Sequence, residues 1–176
     1  MKDLIFEWQH HPVRIRMIRE CSVLEISEDE KIGPFKEGDD IKLPYWQAKI
    51  LVNEKYAKFL DLKPIQAGDI YKIFHRELPT SQLTAIDPDF YSKVHEDLVE
   101  MTKQFKENQD LRLFQEIEKI KPIYRDLVSR RFYKLLQMAA VGGDNAEALQ
   151  NCSNEEKELY KRLREIFDQF KAQFFI

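Results

Sequence analysis

Glycine and proline are distributed so unevenly along this chain that they dictate its architecture. Of the five glycines, only Gly142 and Gly143 lie beyond residue 68, and of the seven prolines only Pro122 lies beyond Pro88. These two residues punctuate helices and strands by freeing or fixing φ. A stretch of some ninety residues with one interior proline and one glycine pair has few places to turn, so it must run as long helices. The residues before it carry the remaining turn signals and read differently. The spacing therefore predicts an α+β chain that is mostly α: a small β-rich module over 1–62, a short helix and connector over 63–86, and a long-helix bundle over 87–176.

In the first part, "VRIRMI" alternates Val13, Ile15 and Met17 with Arg14 and Arg16, the pattern of a half-buried strand. "SVLEIS" and "IKL" read as further short strands, with "IGPF" and "KEGDD" as turns and "KYAKFL" as a closing strand. Pro44 stands where the first helical position would be, followed by "YWQAKILVN" with Trp46, Ile50 and Leu51 expected on one face. A module this small buries little, so Trp46 is expected to anchor it.

"QAGDIYKIFHREL" predicts a short helix, and "PTSQLTAIDP" a connector. From Asp87 the pattern is helical, with Asp87 as N-cap and Pro88 at the first position. Tyr91, Val94, Leu98, Met101 and Phe105 form one heptad seam. Leu113, Ile117, Ile120, Tyr124 and Leu127 form a second, which Val128, Phe132, Leu135 and Ala139 continue. Pro122 either kinks that helix or separates two. Gly142 ends it. Ser153 and Glu156 have capping-box spacing, and Leu159, Leu163, Ile166, Phe170 and Phe174 stripe the last helix.

No catalytic constellation is legible, and no enzyme is expected. There is no phosphate-binding glycine loop, no nucleophile elbow and no cysteine pair at metal spacing. His10 and His11 are adjacent, so on a strand they would point to opposite faces, while His75 and His95 stand alone; neither a metal nor a cofactor is expected. Cys21 and Cys152 form no disulfide framework, and no apolar run approaches the roughly 20 residues of a membrane span, so a soluble intracellular protein is expected. A net charge of −3 argues against a general duplex-DNA binder but permits local basic patches.

Three surfaces are candidates for a partner. Arg130, Arg131 and Lys134 gather in "KPIYRDLVSRRFYKLLQMAA", where they read either as a basic ridge for a partner's carboxylates or phosphates, or as intramolecular partners of acidic helices such as "VHEDLVE". The tail "FDQFKAQFFI" places Phe167, Phe170, Phe174, Phe175 and Ile176 on the last ten residues, and they need a cover. The seam that includes Tyr91, Val94 and Leu98 is a third candidate, because three helices leave some stripes uncovered.

The stretch "GPFKEGDDIKLPYWQAKIL" resembles a segment of GINS subunits that carry the B domain before the A domain; Gly33, Pro34, Phe35, Gly38, Pro44, Trp46 and Ala48 match it position by position. "DPDFY" and "RDLVSRRFYKLLQMA" are similar to A-domain helices, notably those of the archaeal subunit with the opposite domain order. The resemblance implies that Gly33, Pro34, Phe35, Pro44 and Trp46 build the core of a B-like domain. It also implies a non-enzymatic DNA replication scaffold in a GINS tetramer, linking the MCM helicase to a RecJ-like protein. The implied partner is a second GINS-type subunit, two copies of each, or else further copies of this chain. Residence in the cytoplasm of an archaeon, at the nucleoid, follows from the same likeness, while direct DNA contact stays open. A helical adaptor unrelated to GINS and a nucleic-acid-binding regulator using the basic ridge are the other readings.

Overall fold

The computed structural model describes residues 2–25, 31–143 and 145–174. The chain divides into two units, Lys2–Pro64 and Ile65–Ile176. The first unit is built on a strand, β1 (Pro12–Met17), whose alternation is realised in full: Val13, Ile15 and Met17 are buried, and Arg14 and Arg16 are exposed. It is the middle strand of a three-stranded antiparallel sheet, between β4 (Asp40–Pro44) and β5 (Ala57–Phe59). β2 (Leu24–Glu25) and β3 (Lys31–Ile32) form a separate two-stranded ladder, extended by a bridge between Cys21 and Phe35. Gly33 has φ +96°, and a Cβ there would lie 3.0 Å from the Ser22 carbonyl oxygen, so this turn accepts only glycine without strain. The Gly33–Pro34 peptide is cis.

The inner face of the sheet is covered by α2 (Tyr45–Asn53) and α1 (Lys2–Gln9). Two expectations are corrected here. Pro44 is not the first helical residue: at ψ 144° it is the last extended residue of β4, paired with Pro12, and the helix begins at Tyr45. The inward face of α2 is consequently Tyr45, Ala48 and Leu51, while Trp46 is only half-buried and Ile50 faces solvent. Trp46 is absent from the packed cluster; the buried tryptophan is Trp8 on α1, with its ring centroid 5.2 Å from that of Tyr45. Phe35 packs at the edge of this core, whereas Pro34 is exposed.

The second unit is organised around α5 (Leu111–Val141), against which α3 (Ala67–Glu77), α4 (Phe90–Asn108) and α7 (Asn154–Phe174) all pack; α6 (Ala146–Gln150) lies in the return before α7. α5 runs unbroken through Pro122. An interior proline costs about 3 kcal/mol, and the burial of Ile117, Ile120 and Leu127 on the same helix offsets it. Both seams meet inside this unit: Val94 and Met101 of α4 pack with Ile117, Ile120 and Leu127, and Tyr91, Leu98 and Phe105 pack around them. α4 starts at Phe90 with Asp89 as the N-cap residue, two positions after Asp87, whose side chain instead accepts from Asp89 N and pairs with Lys93. Gly142 ends α5 with φ +80°, and a Cβ there would overlap the Arg164 guanidinium. From Ile65 on, the short helix and connector belong to the helical unit: α3 and Leu83 pack into it.

Candidate partner interface and an internal charge cluster

α7 begins with the expected capping box. Glu156 N donates to Ser153 Oγ at 3.2 Å, and Ser153 N donates to Glu156 Oε2 at 3.1 Å. This helix then follows α5 in the same direction. Glu156 meets Arg131, Arg164 donates to the Ala139 carbonyl and Lys171 to the Ala140 carbonyl, so the last turns of α7 lie beside the end of α5. These two cations satisfy carbonyls that a helix C-terminus leaves open.

The apolar residues of α7 separate into two stripes. Leu159, Tyr160, Leu163 and Phe167 face inward and pack with Leu135, Ala139 and Cys152. Ile166, Phe170 and Phe174, spaced by four, face outward and are 61%, 54% and 60% exposed. The Phe170 and Phe174 rings lie 4.8 Å apart. Val141, at the adjacent end of α5, is also exposed. Of the aromatic tail, then, Phe167 belongs to the chain's own core, Phe170 and Phe174 form an open stripe, and Phe175 and Ile176 lie outside the described residues.

Of the other two candidate surfaces, Val94, Arg131 and Lys134 are buried, while Tyr91, Leu98 and Arg130 are half-buried. Val94 is buried, while Tyr91 and Leu98 pack against the first seam of α5. Arg131 and Lys134 do not form a ridge: Arg131 is fully buried and Lys134 is 7% exposed. Arg131 spans two carboxylates, with Nε and Nη2 on Glu156 at 2.7 and 2.8 Å and Nη1 on Glu77 at 2.7 Å. Nη1 also donates to the Thr84 carbonyl at 2.8 Å. Lys134 Nζ donates to the Glu77 carboxylate and to the carbonyls of Glu77 and Gln82. Arg130 reaches the Glu77 and Leu78 carbonyls at the end of α3. The cluster is neutral, two cations against two carboxylates, and every charge in it is hydrogen-bonded; burial without that compensation would cost several kcal/mol per ion. The partners are Glu77 and Glu156, not the "VHEDLVE" carboxylates.

The electrostatics follow from this geometry. Burial alone would raise the pKa of Glu77, but hydrogen bonds from Lys134 and Thr84 and the charge of Arg131 hold it below the ordinary 4.5. Burial likewise opposes the charge on Arg131, and the hydrogen bonds and charge of Glu156, with Glu77, outweigh it and raise its pKa. Tyr91, which donates to Glu156 at 2.6 Å, is raised by burial and by that carboxylate's charge. Burial pushes the Cys152 thiol up to about 11. The cluster ties α3, α5 and α7 together.

A pH dependence follows. Glu77 has a folded pKa below its unfolded one, so its ionised form contributes stability above about pH 4.5 that is lost as pH falls through the folded value. The urea midpoint of the helical unit is therefore expected to fall on acidification below pH ~4.5. Glu77→Gln should be less stable at neutral pH and show a flatter dependence in that window. A wild-type pH slope in Glu77→Gln would remove Glu77 from the account.

Sequence reasoning missed Glu77 and Trp8 and misplaced Arg131, yet each carried a signal. Arg131 lies four residues from both Leu127 and Leu135, and Glu77 seven from Ile70, so both stand on buried stripes. Among the described residues no three His, Cys, Asp or Glu side chains converge as a metal set, and no helix is long and apolar enough to cross a membrane. No curated protein matches the chain. The family model of the GINS complex protein helical bundle domain matches residues 62–175. That span opens at the boundary between the two units and covers the whole of α3 to α7.

Proposed function

We propose that this chain, which belongs to the GINS family of DNA replication proteins, joins the MCM helicase to a RecJ-like partner as one subunit of a two-plus-two GINS tetramer. GINS proteins are non-catalytic scaffolds, and other GINS subunits are their partners. The family match along 62–175 carries the reading; the small module ahead of the helical domain is in keeping with an archaeal subunit of the B-before-A type, working at the nucleoid. The outward stripe of Ile166, Phe170 and Phe174 supports an assembly surface, since a contiguous exposed apolar stripe on a charged helix marks an interface. The match also sets aside an unrelated helical adaptor.

The test is co-expression with a second GINS-type subunit, followed by native mass spectrometry and sedimentation velocity. The wild type should run as a stable complex. Phe170→Glu with Phe174→Glu should weaken it by about 100-fold or more, since each phenylalanine contributes roughly 1.5–3 kcal/mol on burial. The melt of the helical unit should hardly change, because both side chains are already exposed. A wild-type chain that stays monomeric beside its partner subunit, or a double variant that assembles normally, would overturn the assignment. Pull-down of MCM and of a RecJ-like protein by the wild-type complex tests the linking role separately.

A further inference from the structure

We infer that the outer face of the β4–β1–β5 sheet binds the phosphate backbone of single-stranded nucleic acid. The inner face of this sheet carries Val13, Ile15 and Met17 and is covered; the outer face carries Arg14, Arg16, Lys42 and Lys58, all exposed. The register puts like charges together. Arg14 stands directly across from Lys42, and Arg16 directly across from Lys58. Directly opposed like charges destabilise an antiparallel pair, so stability does not account for this arrangement.

The counter-charges are few. Asp40, the other neighbour of Arg16, takes both its Nε and Nη2 at 2.6 and 2.8 Å, and Asp61 lies 3.8 Å from Arg14. Neither Lys42 nor Lys58 has an ion-pair partner among the described residues. The face thus sets four cations against two carboxylates in a chain whose net charge is −3. Charge has been gathered onto one surface, not spread.

The geometry favours a polyanion that crosses the strands. Residues two apart on a strand are about 6.6 Å apart and neighbouring strands about 4.8 Å, so the cations occupy roughly 7 by 10 Å. The diagonal from Lys42 across β1 to Lys58 spans about 12 Å, roughly two phosphate steps of an extended single strand, whose phosphates lie at about twice the 3.4 Å of a duplex strand. An acidic peptide added to the sheet edge would lie beside one edge strand and reach only its lysine. A backbone crossing the face diagonally, from Lys42 over Arg14 and Arg16 to Lys58, meets cations on all three strands. No exposed aromatic ring lies among these positions, so the contact is to phosphates and not by base stacking, and it carries no sequence preference. The choice of nucleic acid as the polyanion rests on the replication role proposed above.

The experiment titrates the full-length protein into a labelled oligothymidylate of roughly 20 nucleotides, read by fluorescence anisotropy between about 50 and 200 mM salt. Binding should weaken with salt at about 0.7 log units per decade for each phosphate engaged. Lys42→Ala with Lys58→Ala should lower affinity at least about tenfold at 50 mM and make the slope shallower by about 1.4. The same pair should leave the thermal midpoint of the module unchanged or raised, because it removes two like-charge oppositions. Lys103→Ala with Lys106→Ala, on α4, should leave binding intact. Three results would overturn the inference: no binding by the wild type, unchanged affinity and salt slope in Lys42→Ala/Lys58→Ala, or tighter binding to polyglutamate than to the oligonucleotide. Co-purification with a second GINS-type subunit, measured on the same variants, keeps the two readings apart. A wild type that assembles without binding overturns this inference alone; one that binds without assembling supports it and overturns the assembly.

Discussion

Arg131→Met is expected to destabilise the helical unit by about 3–5 kcal/mol, a large share of what a domain of this size possesses. Methionine fills the volume of the arginine stem but leaves two carboxylates facing each other without the cation that separates them. Arg131 has no exposed surface, so water cannot stand in for the lost guanidinium without opening the core. Lys134 remains on Glu77, but Glu156 keeps only Tyr91 and the Ser153 N–H. The double variant Arg131→Met/Glu156→Gln should therefore recover at least about 1 kcal/mol relative to Arg131→Met, since it removes the stranded charge. Urea denaturation followed by helix ellipticity gives both numbers. A loss under about 1 kcal/mol for Arg131→Met would mean that the cluster is not what holds α3 and α7 to α5.

Trp8→Ala is the second large effect, expected to unfold the small module while the helical unit stays folded. Truncating a buried aromatic costs about 3–5 kcal/mol, and a core built by some sixty residues rarely supplies more. Trp46→Ala should cost much less, because that ring is half-exposed and lies outside the packed cluster. Fluorescence separates the two tryptophans. Trp8, 3% exposed, should emit to the blue in Trp46→Ala, and the emission of Trp46 in Trp8→Ala should be red-shifted. Equal losses of stability in both variants would contradict the burial that distinguishes them.

The contrast between the two tryptophans shows what periodicity can and cannot reveal. "YWQAKILVN" offers two apolar faces, Tyr45–Ala48–Leu51 and Trp46–Ile50, and a pattern of spacings ranks neither. The choice was made by where Pro44 stopped being strand, which depends on its pairing with Pro12 more than thirty residues away. α1 was invisible for a related reason: a single helix of eight residues has too few turns to establish a period. By contrast β1, the seam of α4, the first seam of α5 and the capping box of α7 are local patterns and readable, whereas Phe132, expected on the continuation of the α5 seam, is exposed. The charge of Arg131 admits either a surface ridge or an internal ion pair, and its position four residues from Leu127 and Leu135 points to the second. Its partners could not be read at all, since Glu77 and Glu156 lie 54 and 25 residues away. The open stripe of α7 was legible as an apolar tail, but its separation from the Phe167 side required knowing which face α5 covers.

The charge cluster also settles a question of register that apolar packing leaves open. Striped helices can slide: a shift of one turn, about 5.4 Å, brings a leucine opposite an isoleucine where a phenylalanine stood, at small cost. Several alignments of α3 and α7 along α5 would then be nearly equal in energy. The guanidinium of Arg131 admits only one of them. Its contacts with Glu77 and Glu156 are 2.7–2.8 Å long, and a slip of one turn in either helix would carry a carboxylate out of reach and bury it beside apolar side chains. Each misaligned alternative is thereby raised by the cost of a stranded ion, and the near-degenerate set collapses to one. The same lock fixes where the free end of α7 stands relative to the end of α5. A partner meeting Phe170 and Phe174 thus finds a single rigid presentation of them, set from some twenty ångströms away by a residue it never touches.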